Sequence, residues 1–326
     1  MILGGRSEQE LKYAKAKAKA TEFRVDDNEL TTFPLNSDEL HYTSVYVISS
    51  YANARIAGAS ATEYQAELRK VASFYDAASN DNGYSQYADG YWLLAMAAYF
   101  LVGNFGSAKV AASHVKIPDF YGEYGEILHS VVSFLLIPNS NEPKQLAALC
   151  RFLRGEDVSE NVVHEEASAY LHYDNPEDAF FGKVLFVAIG DAVASSSRKL
   201  LPSFTGVQLE KWKPYLADDS SSKLLWQAQR RIGEAGILSG TNAFVQLPTG
   251  TGKTKSIEIL LRARILSGNC RMAVIVAPLR ALCTEIANEL GSSLKGTAVV
   301  QLASDVLEID PWMGSHSSET SIMVFT

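Results

Sequence analysis

The chain has 326 residues, 47% of them hydrophobic and 20% charged, with a formal net charge of −8, enough for two domains with proper cores and typical of ordinary globular proteins. No apolar run reaches the roughly 18 residues of a membrane span, and the opening Met1-Ile-Leu-Gly-Gly-Arg lacks the basic and then apolar pattern of a signal peptide. Three cysteines, Cys150, Cys270 and Cys283, without CxxC spacing, argue against a disulfide framework or zinc site and for a reducing cytoplasmic setting.

The acidity is confined to the first two thirds. From Ser221 onward 10 Lys+Arg stand against 8 Asp+Glu, a net of +2, while the first 220 residues hold 19 and 29, a net of −10. A nucleic-acid clamp carries a basic footprint, so bulk charge speaks against that role for the N-terminal part. In a helix expected at Glu8–Glu22, Lys12, Lys15 and Lys19 share one face. This reads as a solvated face, with a local basic patch as the alternative.

From Thr62 to Ala194 the pattern is one of consecutive helices. Thr62-x-x-Gln65 offers a capping-box start, followed by Tyr64, Leu68, Val71 and Tyr75 at helical spacing. Ser79-Asn-Asp-Asn-Gly83 breaks the chain, and the almost wholly apolar Ala88–Val102 marks a buried helix. Ser107–His114, Glu123–Leu136, Pro143–Leu153, Val162–Tyr170 and Pro176–Ala194 continue the series as a bundle or array without a fixed repeat. Asp218-Asp-Ser-Ser-Ser222 has the composition of a linker.

Beyond it the periodicity changes. A short strand is expected at Ala243–Leu247, then a Gly-rich turn and a helix at Lys253–Leu266. A strand at Met272–Ala277, a helix at Arg280–Leu290 and strands at Thr297–Leu302 and Ser321–Thr326 follow. That alternation predicts a parallel sheet. The fold class expected is therefore α + α/β, with an all-helical accessory domain over 1–220 and a P-loop parallel α/β domain over 221–326.

Leu247-Pro-Thr-Gly-Thr-Gly-Lys-Thr254 lies between the expected strand and helix, the setting a phosphate loop requires. Gly250 and Gly252 permit the sharp turn that lets successive N–H groups converge on phosphate oxygens. The following helix aims its positive end at the same oxygens. Lys253 supplies a full charge to the β- and γ-phosphates, and Thr254 offers its hydroxyl to Mg²⁺. Pro248, Thr249, Gly250, Thr251, Gly252, Lys253, Thr254 and Lys255 are thus the run expected to cradle ATP with Mg²⁺, and Lys253 and Thr254 the residues expected to serve catalysis. The general pattern GxxxxGK[ST] has glycine where this chain has Leu247.

The loop, together with three further features, resembles the superfamily 2 helicases of the DEAD/DEAH-box (DExH) type. Leu225-Trp-Gln-Ala-Gln-Arg-Arg-Ile232 stands at about the distance of that family's adenine-reading glutamine motif; Gln229 is the better placed of its two glutamines, and Gln227 is the alternative. Val274-Ile-Val-Ala-Pro-Leu-Arg-Ala-Leu282 is similar to motif Ia, which implies a nucleic-acid phosphate contact for Arg280. Ser321–Thr326 is similar to the strand before a Pro-Glu-(Lys/Arg) turn, and Leu247 falls where these helicases relax the first glycine.

The resemblance covers about residues 220–326 and implies the first RecA-like domain of an ATP-dependent helicase or translocase acting on DNA or RNA. After the loop no expected strand ends in Asp-Glu, so the sequence shows no DExD/H box there, and neither a Ser/Thr-Ala-Thr motif nor a second RecA-like domain follows the loop within it. The expectation is therefore an N-terminal fragment that binds ATP with Mg²⁺ and does not hydrolyse it. Rival readings are a P-loop remodelling or restriction-type translocase ATPase, and a helical protein-interaction module with a non-catalytic loop. In the second, residues 1–220 would bind a protein partner. His164-Glu-Glu166 lacks the second histidine of a zinc helix, and neither GxSxG nor GxGxxG occurs.

Overall fold

The computed structural model describes residues 37–80, 87–116, 122–248, 250–302 and 320–326. The helix expected at Glu8–Glu22 with its three lysines, part of the loop after Ser79, and Thr249 lie outside them. The chain divides into two compact units, 1–196 with 222–224, and 197–221 with 225–326.

In the first unit the described helices are α1 (Ser37–Ile56), α2 (Thr62–Ser79), α3 (Ala88–Leu101), α4 (Phe105–His114), α5 (Gly122–Leu136), α6 (Ala147–Leu153), α7 (Glu160–Ser168) and α8 (Pro176–Ser195). α3 is buried on nearly every side, from Trp92 to Leu101, as its apolar composition predicts. Three helix starts follow capping rules: Asn104, Ser159 and Asn175 accept from the N–H groups of Ser107, Val162 and Asp178. The expected capping box at Thr62 does not form. The N-cap position belongs to Ala61, no side chain caps the helix, and the Thr62 hydroxyl accepts from Ser60 Oγ at 3.2 Å instead. α6 is capped from a distance, since the Glu166 carboxylate accepts the N–H groups of Ala148 and Leu149 at 2.9 and 3.1 Å. That gives His164-Glu-Glu166 a structural use. Arg55 of α1 forks onto Asp191 of α8 at 2.5 and 3.3 Å.

The division between units does not fall at the linker composition near residue 220. Helices α9 (Ser197–Thr205) and α10 (Leu209–Leu216) pack with the second unit, sharing a core with α11 (Gln227–Glu234) and α12 (Lys253–Leu266). Leu201, Trp212, Tyr215, Leu225, Ile232 and Ile259 are its centre. Asp218 and Ser220 form a tight turn in which the carboxylate accepts both the N–H and the hydroxyl of Ser220. The stretch is thus a structured connection despite its composition.

Three parallel strands complete the second unit: β1 (Met272–Val276), β2 (Val299–Leu302) and β3 (Ser321–Phe325), with α13 (Arg280–Ser293) between β1 and β2. Their order is β1-β3-β2, with Met272 and Val299 both opposite Ser321. One sheet face packs Ile275, Val300, Ile322 and Val324 against Leu261, Ile286 and Leu290 of α12 and α13. On the other face Met272, Val274 and Val276 are more than half exposed.

The strand expected at Ala243–Leu247 is absent. Residues 241–248 have no regular structure, and Phe244 is 93% exposed. A strand exists only where a neighbour completes its ladder, and β1, β2 and β3 pair among themselves. Among the described residues no helix is long and apolar enough to cross a membrane.

A glycine pair in α8 tests the first unit's packing. A Cβ on Gly182 would lie 2.0 Å from the Tyr170 carbonyl oxygen, whereas one on Gly190 would meet nothing within 4 Å. Gly182→Ala is expected to lose about 1–3 kcal/mol in urea unfolding, and Gly190→Ala to gain about 0.5–1 kcal/mol. Equal midpoints for the two variants would contradict this packing.

Candidate functional site

The phosphate loop enters α12 through two left-handed glycines, Gly250 at φ +78° and Gly252 at φ +81°. Gly252 is the N-cap, and no side chain caps the first turn. The leading N–H groups of a fourteen-residue helix are therefore left without a side-chain acceptor, at the end where the macrodipole is positive. Lys253 is the first helical residue and is exposed, and Thr254 beside it is half-buried. Thr251 closes the turn by donating its hydroxyl to the Pro248 carbonyl at 2.8 Å. This is a donor set suited to an anion with several oxygens. Among the described residues no group of three or more His, Cys, Asp or Glu could hold a metal ion. For Mg²⁺ the loop itself offers the Thr254 hydroxyl.

Gln229 is brought to this loop and Gln227 is not. Gln227 is exposed. Gln229, only 4% exposed, donates from Nε2 to the carbonyls of Thr251 at 3.4 Å and Gly252 at 3.3 Å. The same nitrogen meets Ser256 Oγ at 3.4 Å, and that hydroxyl donates to the Gly252 carbonyl at 2.9 Å. Gln229 Oε1 is buried with no hydrogen-bond partner among the described residues. The amide thus fastens the loop from α11 with one end and keeps a buried, unpartnered acceptor at the other. Ser256 escaped the sequence reading, although its i+4 spacing from Gly252 is the signal for a hydroxyl that bonds back to a helix's first carbonyl.

Lys255 stands apart from the rest of the expected run. Its ammonium pairs with Glu258 at 2.6 Å and lies 5.8 Å from the Tyr215 ring centroid. Burial disfavours this charge, but Tyr215 and Glu258 outweigh it and hold the pKa above the ordinary lysine value. Neither Glu258 nor Tyr215 was singled out from sequence, although Lys255 and Glu258 have the i, i+3 spacing of a helical ion pair. Arg280 opens α13 and is exposed, directly after β1 and the turn Ala277-Pro278-Leu279.

Residues 226–320 match the DEAD/DEAH box helicase family. Over similar lengths the chain resembles three proteins named ATP-dependent DNA helicase Hel308. The one from Pyrococcus horikoshii is 33% identical over 93 residues, 28% of this chain and 13% of that protein. Those from Thermococcus kodakarensis and Pyrococcus abyssi are each 31% identical, over 93 and 108 residues, or 28% and 33% of this chain and 8% and 15% of the relatives. The similarity therefore spans 15% or less of these relatives' length. Within the DEAD/DEAH box segment lie the loop, Gln229, Lys255 and Arg280, whereas α9 and α10 precede it and still share its core.

Two glycine substitutions separate backbone strain from contact with Gln229. A Cβ on Gly252 would sit 2.7 Å from Gln229 Nε2, while one on Gly250 would meet open space. Both Gly→Ala variants are expected to lose about 1–2 kcal/mol for the left-handed backbone. Gly252→Ala should lose more, and the excess should shrink when it is combined with Gln229→Ala. Chemical denaturation without nucleotide checks this. An identical loss in the two single variants would mean that Gln229 does not touch the loop.

Proposed function

We propose that the second unit binds ATP with Mg²⁺ on the loop Pro248–Lys253, as the nucleotide-binding part of a nucleic-acid-dependent ATPase of helicase type. The observation that supports this best is the uncapped N-terminus of α12, with Lys253 exposed on it behind two left-handed glycines. Its place within a DEAD/DEAH box segment adds to that support. In this reading the N–H groups and Lys253 hold the phosphates, and Thr254 holds Mg²⁺, which neutralises charge that one lysine leaves over.

Gln229 selects adenine through its unpartnered Oε1, which a turn of the side chain would bring from its buried position to the base, where it suits an exocyclic amino group and repels the guanine carbonyl found at the same place. Its Nε2 is already committed to the loop, so one contact to the base is expected and not the two that the resemblance implied. Arg280 lies on a phosphate of a DNA or RNA strand. The relatives named DNA helicases favour DNA. The helical unit serves as an accessory domain open to a protein partner.

Adding ADP or ATP with Mg²⁺ should raise the melting temperature. A ligand at about 100 times its dissociation constant stabilises by roughly 2.7 kcal/mol, and Lys253→Ala should abolish the shift. An equal shift in that variant would place the nucleotide elsewhere. Gln229→Ala should weaken ATP more than GTP, by about fivefold for one hydrogen bond of about 1 kcal/mol; equal wild-type affinity for the two nucleotides would remove this role. Arg280→Ala should lower affinity for nucleic acid alike across sequences and reduce the salt slope by about one unit. An unchanged slope would count against the contact.

Turnover is a separate matter. Phosphoryl transfer to water needs a positioned base and positive charge on the developing oxyanion besides the phosphate grip. The loop supplies only the grip, so this chain alone is expected to bind nucleotide without steady hydrolysis. A phosphate-release assay with and without single-stranded DNA and RNA checks this, and turnover abolished by Lys253→Ala would refute it.

A further inference from the structure

α12 carries three charged side chains along one flank, Lys255, Glu258 and Arg262, and all are largely withdrawn from water. Glu258 is 4% exposed and Arg262 8%. The Glu258 carboxylate takes Lys255 Nζ at 2.6 Å and Arg262 Nη2 at 3.4 Å. Two cations on one carboxylate leave a buried net charge of +1, which needs a further partner.

The Tyr215 ring of α10 meets that excess. Its centroid lies 4.7 Å from the Arg262 guanidinium carbon and 5.8 Å from Lys255 Nζ, within the range where a ring's negative face attracts a cation. Asp218, three residues on, adds a full negative charge. The hydroxyl and N–H of Ser220 hold its carboxyl below the usual range, with Arg262 and Lys255 contributing. At its other side Arg262 donates to the Ser293 carbonyl at 2.5 Å and to Thr297 Oγ1 at 3.4 Å, so the network also reaches the end of α13.

Lys255 lies two residues beyond Lys253 in the first turn of the same helix. A second free ammonium there would compete for the phosphates and leave the turn free to rotate. We propose that Tyr215 is a positioning residue for the phosphate loop. By seating the Lys255 and Arg262 cations it fixes the first turns of α12, keeps Lys255 off the nucleotide and leaves Lys253 to meet the β-phosphate. The inference rests on the nucleotide reading above. It makes residues 197–221, which precede the stretch matched to the helicase family, a working part of the site.

The test compares Tyr215→Phe, which keeps the ring, with Tyr215→Leu, which keeps apolar bulk. Calorimetry with the whole chain gives affinities for ADP–Mg²⁺ and for AMP, which lacks the β-phosphate. Amide hydrogen exchange without ligand reports on the first turns of α12. Tyr215→Phe should bind ADP within about twofold of wild type, and Tyr215→Leu about tenfold more weakly, with AMP affinity unchanged. In Tyr215→Leu the amides of Ser256–Glu258, the first of α12 with helical acceptors, should exchange faster while those of Met272–Val276 stay protected.

Tyr215→Leu with wild-type ADP affinity and exchange would overturn the proposal. So would equal losses for ADP and AMP with faster exchange throughout the unit, which would reduce Tyr215 to core filling. Should Tyr215→Leu not fold, Lys255→Met replaces it and is expected to show the same local rise in exchange; no such rise would overturn the proposal. A wild-type chain that binds neither nucleotide would remove the nucleotide reading. In that case the exchange data would still decide whether Tyr215 holds α12.

Discussion

α12 is buried on two opposite flanks, and the rest of the second unit is arranged around that constraint. Ile259 and Ala263, four residues apart, enter the core made by α9, α10 and α11. Ile257, Leu261 and Ile265, at the same spacing but about 200° around the helix, enter the core made by the sheet and α13. A helix gripped on both flanks can neither roll nor slide without opening one of two close-packed interfaces. The helix from Ile257 onward is therefore fixed in space, while its first turn, which gives no residue to either core, is left to the charged strip beside it. Between the two apolar flanks runs the charged strip of Lys255, Glu258 and Arg262, which is why Glu258 and Arg262 are buried and Lys255 is half-buried although each belongs to a residue type normally solvated.

How far this was legible in the sequence depends on whether a feature is local. The helix Lys253–Leu266 follows from its own residues and its glycine stop, and it is found with those bounds. The strands at 272 and 321 announce themselves as continuous apolar runs, the pattern of strands covered on both faces, although in β1 Met272, Val274 and Val276 are exposed. Ala243–Leu247 has similar residues and no strand, because pairing is a property of two segments and only one was in view. α1 escaped for the opposite reason. Leu40, Val47, Ile48 and Tyr51 are buried at helical spacing, but Thr43, Val45, Val47 and Ile48 are β-branched and weaken the helical impression. α9 and α10 carry Pro202 and Pro214 within them, and proline reads as a break.

The site shows the same division. Glycine spacing, Lys253 and Thr254 were readable because a phosphate loop is made from consecutive residues. The choice between Gln227 and Gln229 was not, since it depends on which face of α11 meets the loop; one is exposed and the other buried. Lys255 looked like part of the cradle by proximity in sequence. Its partner Tyr215 stands forty residues earlier, beyond the reach of any local pattern.

The strand order has a consequence for how the chain comes to be folded. The middle strand of the sheet, Ser321–Phe325, is the last of the three in sequence, so among the described residues β1 and β2 have no strand partner until it arrives. During synthesis from the N-terminus, about ten residues per second, β1 waits several seconds with its hydrogen-bonding edges and its valines open to water. The helical unit has no such delay, because most of its helices meet neighbours close in sequence, and local contacts form early. The two units therefore mature on different clocks, and the interval before β3 emerges is when the unpaired edges of β1 and β2 are open to misassociation.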